Sequence, residues 1–229
     1  SMILLAVDTA TKSCSVAVAA DETLIAEINK VTGDTHSKHL MDMISSVINI
    51  SGLTFEDIDG FVVTKGPGRF TGLRIGISTI KGLALASGKP IVGVSTLQAL
   101  AFQFGFSTDH ICPMLDARKG EVYFSLLKFE GNMLKTEISE NVMHPEKALN
   151  HIKGSCIFVG DGALIYNEII SEIMGERAHF ALPSHNLIRA ASVARLGLDR
   201  VKNNDIDDLN TFVPYYIRKS DAEIKKHGN

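Results

Sequence analysis

Thr64 to Gly76, read TKGPGRFTGLRIG, joins an apolar run, Phe61 to Val63, to a long helix-like run with almost no spacer, and it is the stretch best suited to hold an anion. Gly66, Pro67 and Gly68 predict a tight turn, because glycine accepts positive φ and close neighbours while proline fixes φ at about −65°. The helix that follows would begin with unpaired N–H groups of Phe70, Thr71 and Gly72 directed at the turn, an arrangement that binds phosphate. Neither common phosphate loop fits. The Walker pattern needs Gly-Lys-Ser/Thr after its spacer and no lysine stands there; Gly66-x-Gly68 is followed by Gly72 one residue too late for GxGxxG. Two readings stand side by side, an anion-binding turn with Arg69 at its mouth and a strand-to-helix turn whose glycines serve close packing.

Other residues invite the same weighing. Asp8 closes an apolar run and is followed by Thr9, Ala10, Thr11 and Ser13, whose N–H and O–H groups are donors; Asp116 is placed alike. An aspartate at a strand end also folds an Asx turn, and the absence of glycine from Thr9–Ser13 favours that structural role. Gly160-Asp161-Gly162 forms a second glycine turn. His36 and His39 lie at i and i+3 near a helix start, but a metal wants a third protein ligand and no HExxH or equivalent is present, so no metal is expected. No Ser–His–Asp or Cys–His set is evident, and Cys14 in a β-rich run reads as a small core residue.

The elements that must position these groups follow from composition and periodicity. With 229 residues, 45% hydrophobic and 21% charged, the chain has an ordinary globular composition and room for one large or two small domains. A formal charge of −3 gives no basic field with which to grip nucleic acid alone. Cys14, Cys112 and Cys156 are odd in number, widely spaced and without CxxC, which points to reduced thiols in the cytoplasm. Met2 leads into a strand-like run without a basic leader, and no apolar stretch approaches the roughly 20 residues of a membrane span, so neither export nor membrane attachment is expected.

Ile3–Val7, Cys14–Ala20 and Leu24–Ile28 predict an antiparallel meander. Ser37–Ile50 predicts a helix with a wide apolar face, closed by Ser51-Gly52. Gly60–Val63, helix Phe70–Ala86, strand Ile91–Val94 and helix Thr96–Phe104 complete an α/β half. The second half begins by repeating the first. Setting Asp116 on Asp8, an offset of 108 (116 − 8), aligns the strand–aspartate–turn–strand pattern without a gap. Strand Cys156–Val159, helix Ala163–Met174 and a last helix, Leu187–Lys202, follow. These patterns divide the chain into residues 1–105 and 106–229, the last helix folding back.

The blocks DTATKSCSVAVA, HSKHLMDMI, GPGRFTGLRIG with KGLA, VSTLQALA, DARKGEVY and PYYIRKSDAE, in this order along the whole chain, resemble the TsaB (YeaZ) family. The resemblance implies an α/β, duplicated actin-like ATPase fold (ASKHA, ribonuclease H-like) with two subdomains. It also implies a non-catalytic dimerisation subunit of the bacterial machinery that forms threonylcarbamoyladenosine in tRNA. A TsaD-like transferase would be the catalytic partner and a TsaE-like ATPase would complete the set. ATP or ADP with Mg would sit on those partners, tRNA would be met only through the complex, and the lone chain would pair with itself. In actin-like ATPases the first strand-end carboxylate positions metal-bound water, so Asp8, Thr9, Thr11, Asp116, Gly160 and Gly162 mark a degenerate nucleotide cleft. Where relatives carry GPGSFTG this chain has Arg69, which removes a small hydroxyl. The rival readings are an ATPase or small-molecule kinase of the same fold and a peptidase acting on the partner.

The same resemblance places the interface on the two N-terminal helices. Leu73, Ile77, Ile80 and Ala84 form one stripe of the second helix, Ile75, Leu83 and Ala86 lie across from it, and a helix apolar on two sides needs two neighbours. The expected contact residues are His36, Leu40, Met43, Ile44, Val47, Leu73, Arg74, Ile77, Ile80 and Lys81.

Overall fold

The computed structural model describes residues 1–31 and 39–218, so His36 lies outside the described residues. Three strands, β1 (Ile3–Asp8), β2 (Ser13–Ala20) and β3 (Thr23–Val31), form the antiparallel meander. After helix α1 (Leu40–Ser51) come β4 (Gly60–Gly66), α2 (Phe70–Ser87), β5 (Ile91–Ser95) and α3 (Thr96–Ala101). β4 and β5 add in parallel, giving the order β3-β2-β1-β4-β5. The near-continuous apolar runs of β1 and β4 are those of strands covered on both faces. Gly52 and Gly88 end α1 and α2 in left-handed conformation, φ 73° and 68°, where a Cβ would cost strain.

The second half is built alike from β6 (His110–Asp116), β7 (Val122–Glu130), β8 (Met133–Met143), α4 (Pro145–Leu149), β9 (Cys156–Val159), α5 (Asp161–Ile165), α6 (Asn167–Met174) and β10 (Ala178–Phe180). Its sheet reads β8-β7-β6-β9-β10, the same topology as the first, with the hairpin antiparallel and the later strands parallel. The periodicity missed β8, a mostly exposed polar strand, and β10, only three residues long. The helix expected over Ala163–Met174 bends at Tyr166, whose φ of −105° and ψ of 22° interrupt it. The helix expected over Thr96–Phe104 tightens to a 3-10 turn at Phe102–Phe104.

By contact among the described residues, Ser1–Ala99 with Ile188–Tyr215 forms one unit, and Leu100–Leu187 with Tyr216–Arg218 forms the other. The division falls before the 105/106 boundary read from the sequence, and the last helix, α7 (Ala190–Lys202), packs with the first unit. There α1 and α2 cover one face of the sheet and α7 lies against Val62, on the other register of β4. A Cβ on Gly197 would meet Val62 Cγ1 at 2.5 Å, so the helix seats this close only through glycine. Its first free N–H groups are met by the sheet: Ala190 N–H donates to Ser15 Oγ at 2.8 Å and Ala191 N–H to Glu27 Oε1 at 3.0 Å.

Candidate functional site

Asp8 ends β1 in a dry position, 0% exposed. Thr64 Oγ1 donates to its Oδ1 at 2.7 Å and Ala10 N–H donates to the same atom at 3.2 Å, which is the Asx turn. Oδ2 is buried and, among the described residues, without a hydrogen-bond partner. Burial pushes the carboxyl pKa up to about 7 against the pull of those two donors. Asp116 folds the corresponding Asx turn in the second unit, accepting Arg118 N–H at 2.9 Å, and the offset of 108 residues is kept at both ends of the turn.

The glycines around Asp8 are where neighbouring groups press closest. Ala10 O accepts Arg69 N–H at 2.8 Å, and a Cβ on Gly68 would come within 2.6 Å of that same oxygen. Thr9 Oγ1 donates to Gly72 O at 2.7 Å and fills the space a Cβ on Gly76 would need. Gly66 has φ 125°, and Tyr215 O stands where its Cβ would be. Pro67 is buried, Arg69 and Thr71 are exposed, Phe70 is half-buried, and Thr11 Oγ1 lies 2.9 Å from Ser13 Oγ. The turn is thus packed by the β1–β2 hairpin on one side and by the segment after α7 on the other. In the second unit Gly160, φ 108°, gives its N–H to Asn186 Oδ1 at 2.8 Å and is closed over by Met114 O. Gly162 would set a Cβ 2.9 Å from the Leu115 carbonyl carbon. Asp161 Oδ1 ties this turn to β6 by accepting Asp116 N–H at 2.9 Å. Gly68→Ala is therefore expected to cost about 1–3 kcal/mol of stability through overpacking against backbone that has nowhere to move, read by urea unfolding. Unchanged stability would show the turn to be open.

The helices correct the expected interface. Leu40, Met43, Ile44, Val47, Ile77 and Ile80 form one core cluster with Leu5, Val7, Phe61 and Val63, and Leu73 is fully buried beside Gly66. None of these side chains offers a surface, because the stripe with helical spacing is the one that covers the chain's own sheet. Lys81 is half-buried and its Nζ donates to Phe212 O at 2.9 Å, holding the post-α7 segment. Arg74 alone of the described contact candidates is exposed. The outward face of α2 instead carries Thr71, Arg74, Ser78, Gly82 and Leu85, the last 75% exposed, and α1 exposes Met41 and Ile50. Among the described residues, no atom lies within 4 Å of where a Cβ on Gly82 would stand. The sequence reading passed over Leu85, whose helical phase, 11 residues after Arg74 and seven after Ser78, sets it on the polar side of α2.

His39 occupies the position before α1 without capping it through its side chain. Among the described residues no three His, Cys, Asp or Glu side chains gather as a metal ion would require, and no helix is long and apolar enough to cross a membrane. Cys14 is buried, and burial together with Asp8 pushes its thiol up to about 12, consistent with a core residue.

Two matching five-stranded units with paired Asx turns define a duplicated actin-like ATPase fold. The Acidaminococcus fermentans (R)-2-hydroxyglutaryl-CoA dehydratase component A shares that fold at TM-score 0.56 and 11% identity, over 88% of this chain and 100% of its own. YeaZ from Pseudomonas aeruginosa superposes at TM-score 0.80 with 26% identity, over 94% of this chain and 100% of that one. The Bacillus subtilis tRNA threonylcarbamoyladenosine biosynthesis protein TsaB is 30% identical over 98% of this chain and 97% of its own length. Residues 26–226 match the family model described as TsaD: tRNA N6-adenosine threonylcarbamoyltransferase. The chain belongs to this TsaD-type family and, within it, to the TsaB proteins.

Proposed function

We propose that the chain is a non-catalytic scaffold subunit of the machinery that forms threonylcarbamoyladenosine in tRNA, holding a TsaD-like transferase in its active arrangement. The observation that carries this reading is the outward face of α2. Glycine within a helix costs about 1 kcal/mol relative to alanine, and among the described residues nothing packs on Gly82, while Leu85 beside it leaves an apolar side chain in water. Such a face suits a second helix crossing close over Gly82. The packed glycine turns support the non-catalytic half of the reading, since backbone oxygens already stand where a phosphate would approach. A TsaE-like ATPase completes the set, and ATP or ADP with Mg belongs to the partner subunits. tRNA is met through the complex, and a second copy occupies the α1–α2 face when the chain is alone.

Two substitutions test it, with stability read on the lone chain diluted until it is monomeric. Gly82→Ala should stabilise the lone chain by about 0.5–1 kcal/mol, because a compatible site loses unfolded-state freedom, yet weaken co-purification with the TsaD-like subunit. Leu85→Glu should leave the melting temperature within about 2 °C, as exposed changes do, and abolish both complex formation and threonylcarbamoylation of tRNA in the reconstituted system. Full activity of the reconstituted system with Leu85→Glu, or without this chain at all, would end the scaffold reading.

A further inference from the structure

The duplication gives the second unit a helix face of its own, and this one differs in chemistry. Ala148 and Leu149 of α4 and Ala163, Ile170 and Met174 of α5 and α6 pack on one cluster with Cys112, Phe124 and Phe158 of the sheet, as α1 and α2 do in the first unit. Their outward side is not finished as a solvated surface. Leu164, Ile165 and Ile173 are left in water, 50%, 57% and 38% exposed, while Ile169 between them packs against that cluster. Glu168, Glu172 and Glu176 form the neighbouring ridge, all exposed and, among the described residues, without a hydrogen bond or ion pair.

Those carboxylates are poorly placed for the chain's own benefit. The last turn of α6 contains no base, so Glu172 within it and Glu176 just beyond it sit at the negative end of the helix dipole. Arg177, next in sequence, turns Nη1 to Lys153 O at 3.3 Å. Apolar side chains bordered by unneutralised acid repel RNA and anionic lipid headgroups alike and complement a cationic, amphipathic surface.

We propose that the α5–α6 face is a second docking surface, for a protein partner presenting an amphipathic helix whose apolar side is bordered by lysine or arginine. It lies in the other unit from the α2 face and does not depend on the scaffold reading. The test titrates the isotope-labelled full chain with a short helical peptide of leucine and lysine, and separately with its leucine–glutamate twin, following amide resonances. The lysine peptide should shift residues 164–176 and weaken at least about tenfold in high salt and in the triple variant Glu168→Gln/Glu172→Gln/Glu176→Gln. The glutamate twin should leave those resonances in place. Equal binding of both peptides, shifts mapping to other elements, or unchanged affinity of the triple variant would overturn the proposal. Leu85→Glu should bind the lysine peptide like the wild type, which keeps the two docking faces separable.

Discussion

Met43→Glu is expected to leave no folded chain to bind anything. Met43 is 6% exposed and lies in the apolar cluster that joins α1 to β1, β2 and β4. Burying an unpaired carboxylate, or paying to protonate it, costs on the order of 3–5 kcal/mol, a large share of the roughly 5–15 kcal/mol that holds a domain folded. Thermal and urea unfolding should show the loss directly, with aggregation at ordinary working temperature. Partner binding should disappear with the fold. Ile77→Glu, 3% exposed in the same cluster, should behave alike. A stable Met43→Glu monomer that merely fails to bind would place Met43 at the surface and contradict the core described above. Leu85→Glu is the informative contrast, because it adds the same charge to the outward side of the neighbouring helix.

Asp8 predicts the second large effect, and it depends on pH. Its folded pKa of about 7 stands above the 3.8 of an ordinary aspartate, so the folded state holds this proton more tightly than the unfolded chain does. The stability this group contributes is complete below pH 3.8 and is lost as pH rises through 7. At about 1.36 kcal/mol per unit the loss totals about 4 kcal/mol. Asp8→Asn keeps an acceptor for Thr64 Oγ1 and Ala10 N–H and removes the titration. The stability of the variant relative to wild type should therefore climb by that amount between about pH 4 and pH 8, measured by urea unfolding at a series of pH values. A difference that stays flat with pH would mean the carboxyl is solvated or paired, and the dry strand end would be wrong.

Some of this was legible in the residues. The spacing of apolar side chains placed β1 to β7, β9, α1, α2 and α7 to within a few residues, because strands alternate and helices repeat regardless of their neighbours. The repeat of Asp8 in Asp116 was visible as a pattern, and the structure shows its physical content, the same Asx turn at the same place in two sheets of one topology. β8 was not legible, since an edge strand with little burial needs no alternation, nor was β10, too short to establish a period.

The sequence by itself determined the periodic elements, the duplication and the family, all of which are carried by local spacing. Only the tertiary structure decided which of two apolar faces each helix buries, since that depends on what packs against it. Met43 and Ile77 went inward against Phe61 and Val63, and Leu85 was left outside with Gly82. The glycine turn followed the same rule. Gly66 and Gly68 look identical as residues whether phosphate or backbone comes close. Tyr215 O and Ala10 O, brought in from opposite ends of the chain, are what fill the space.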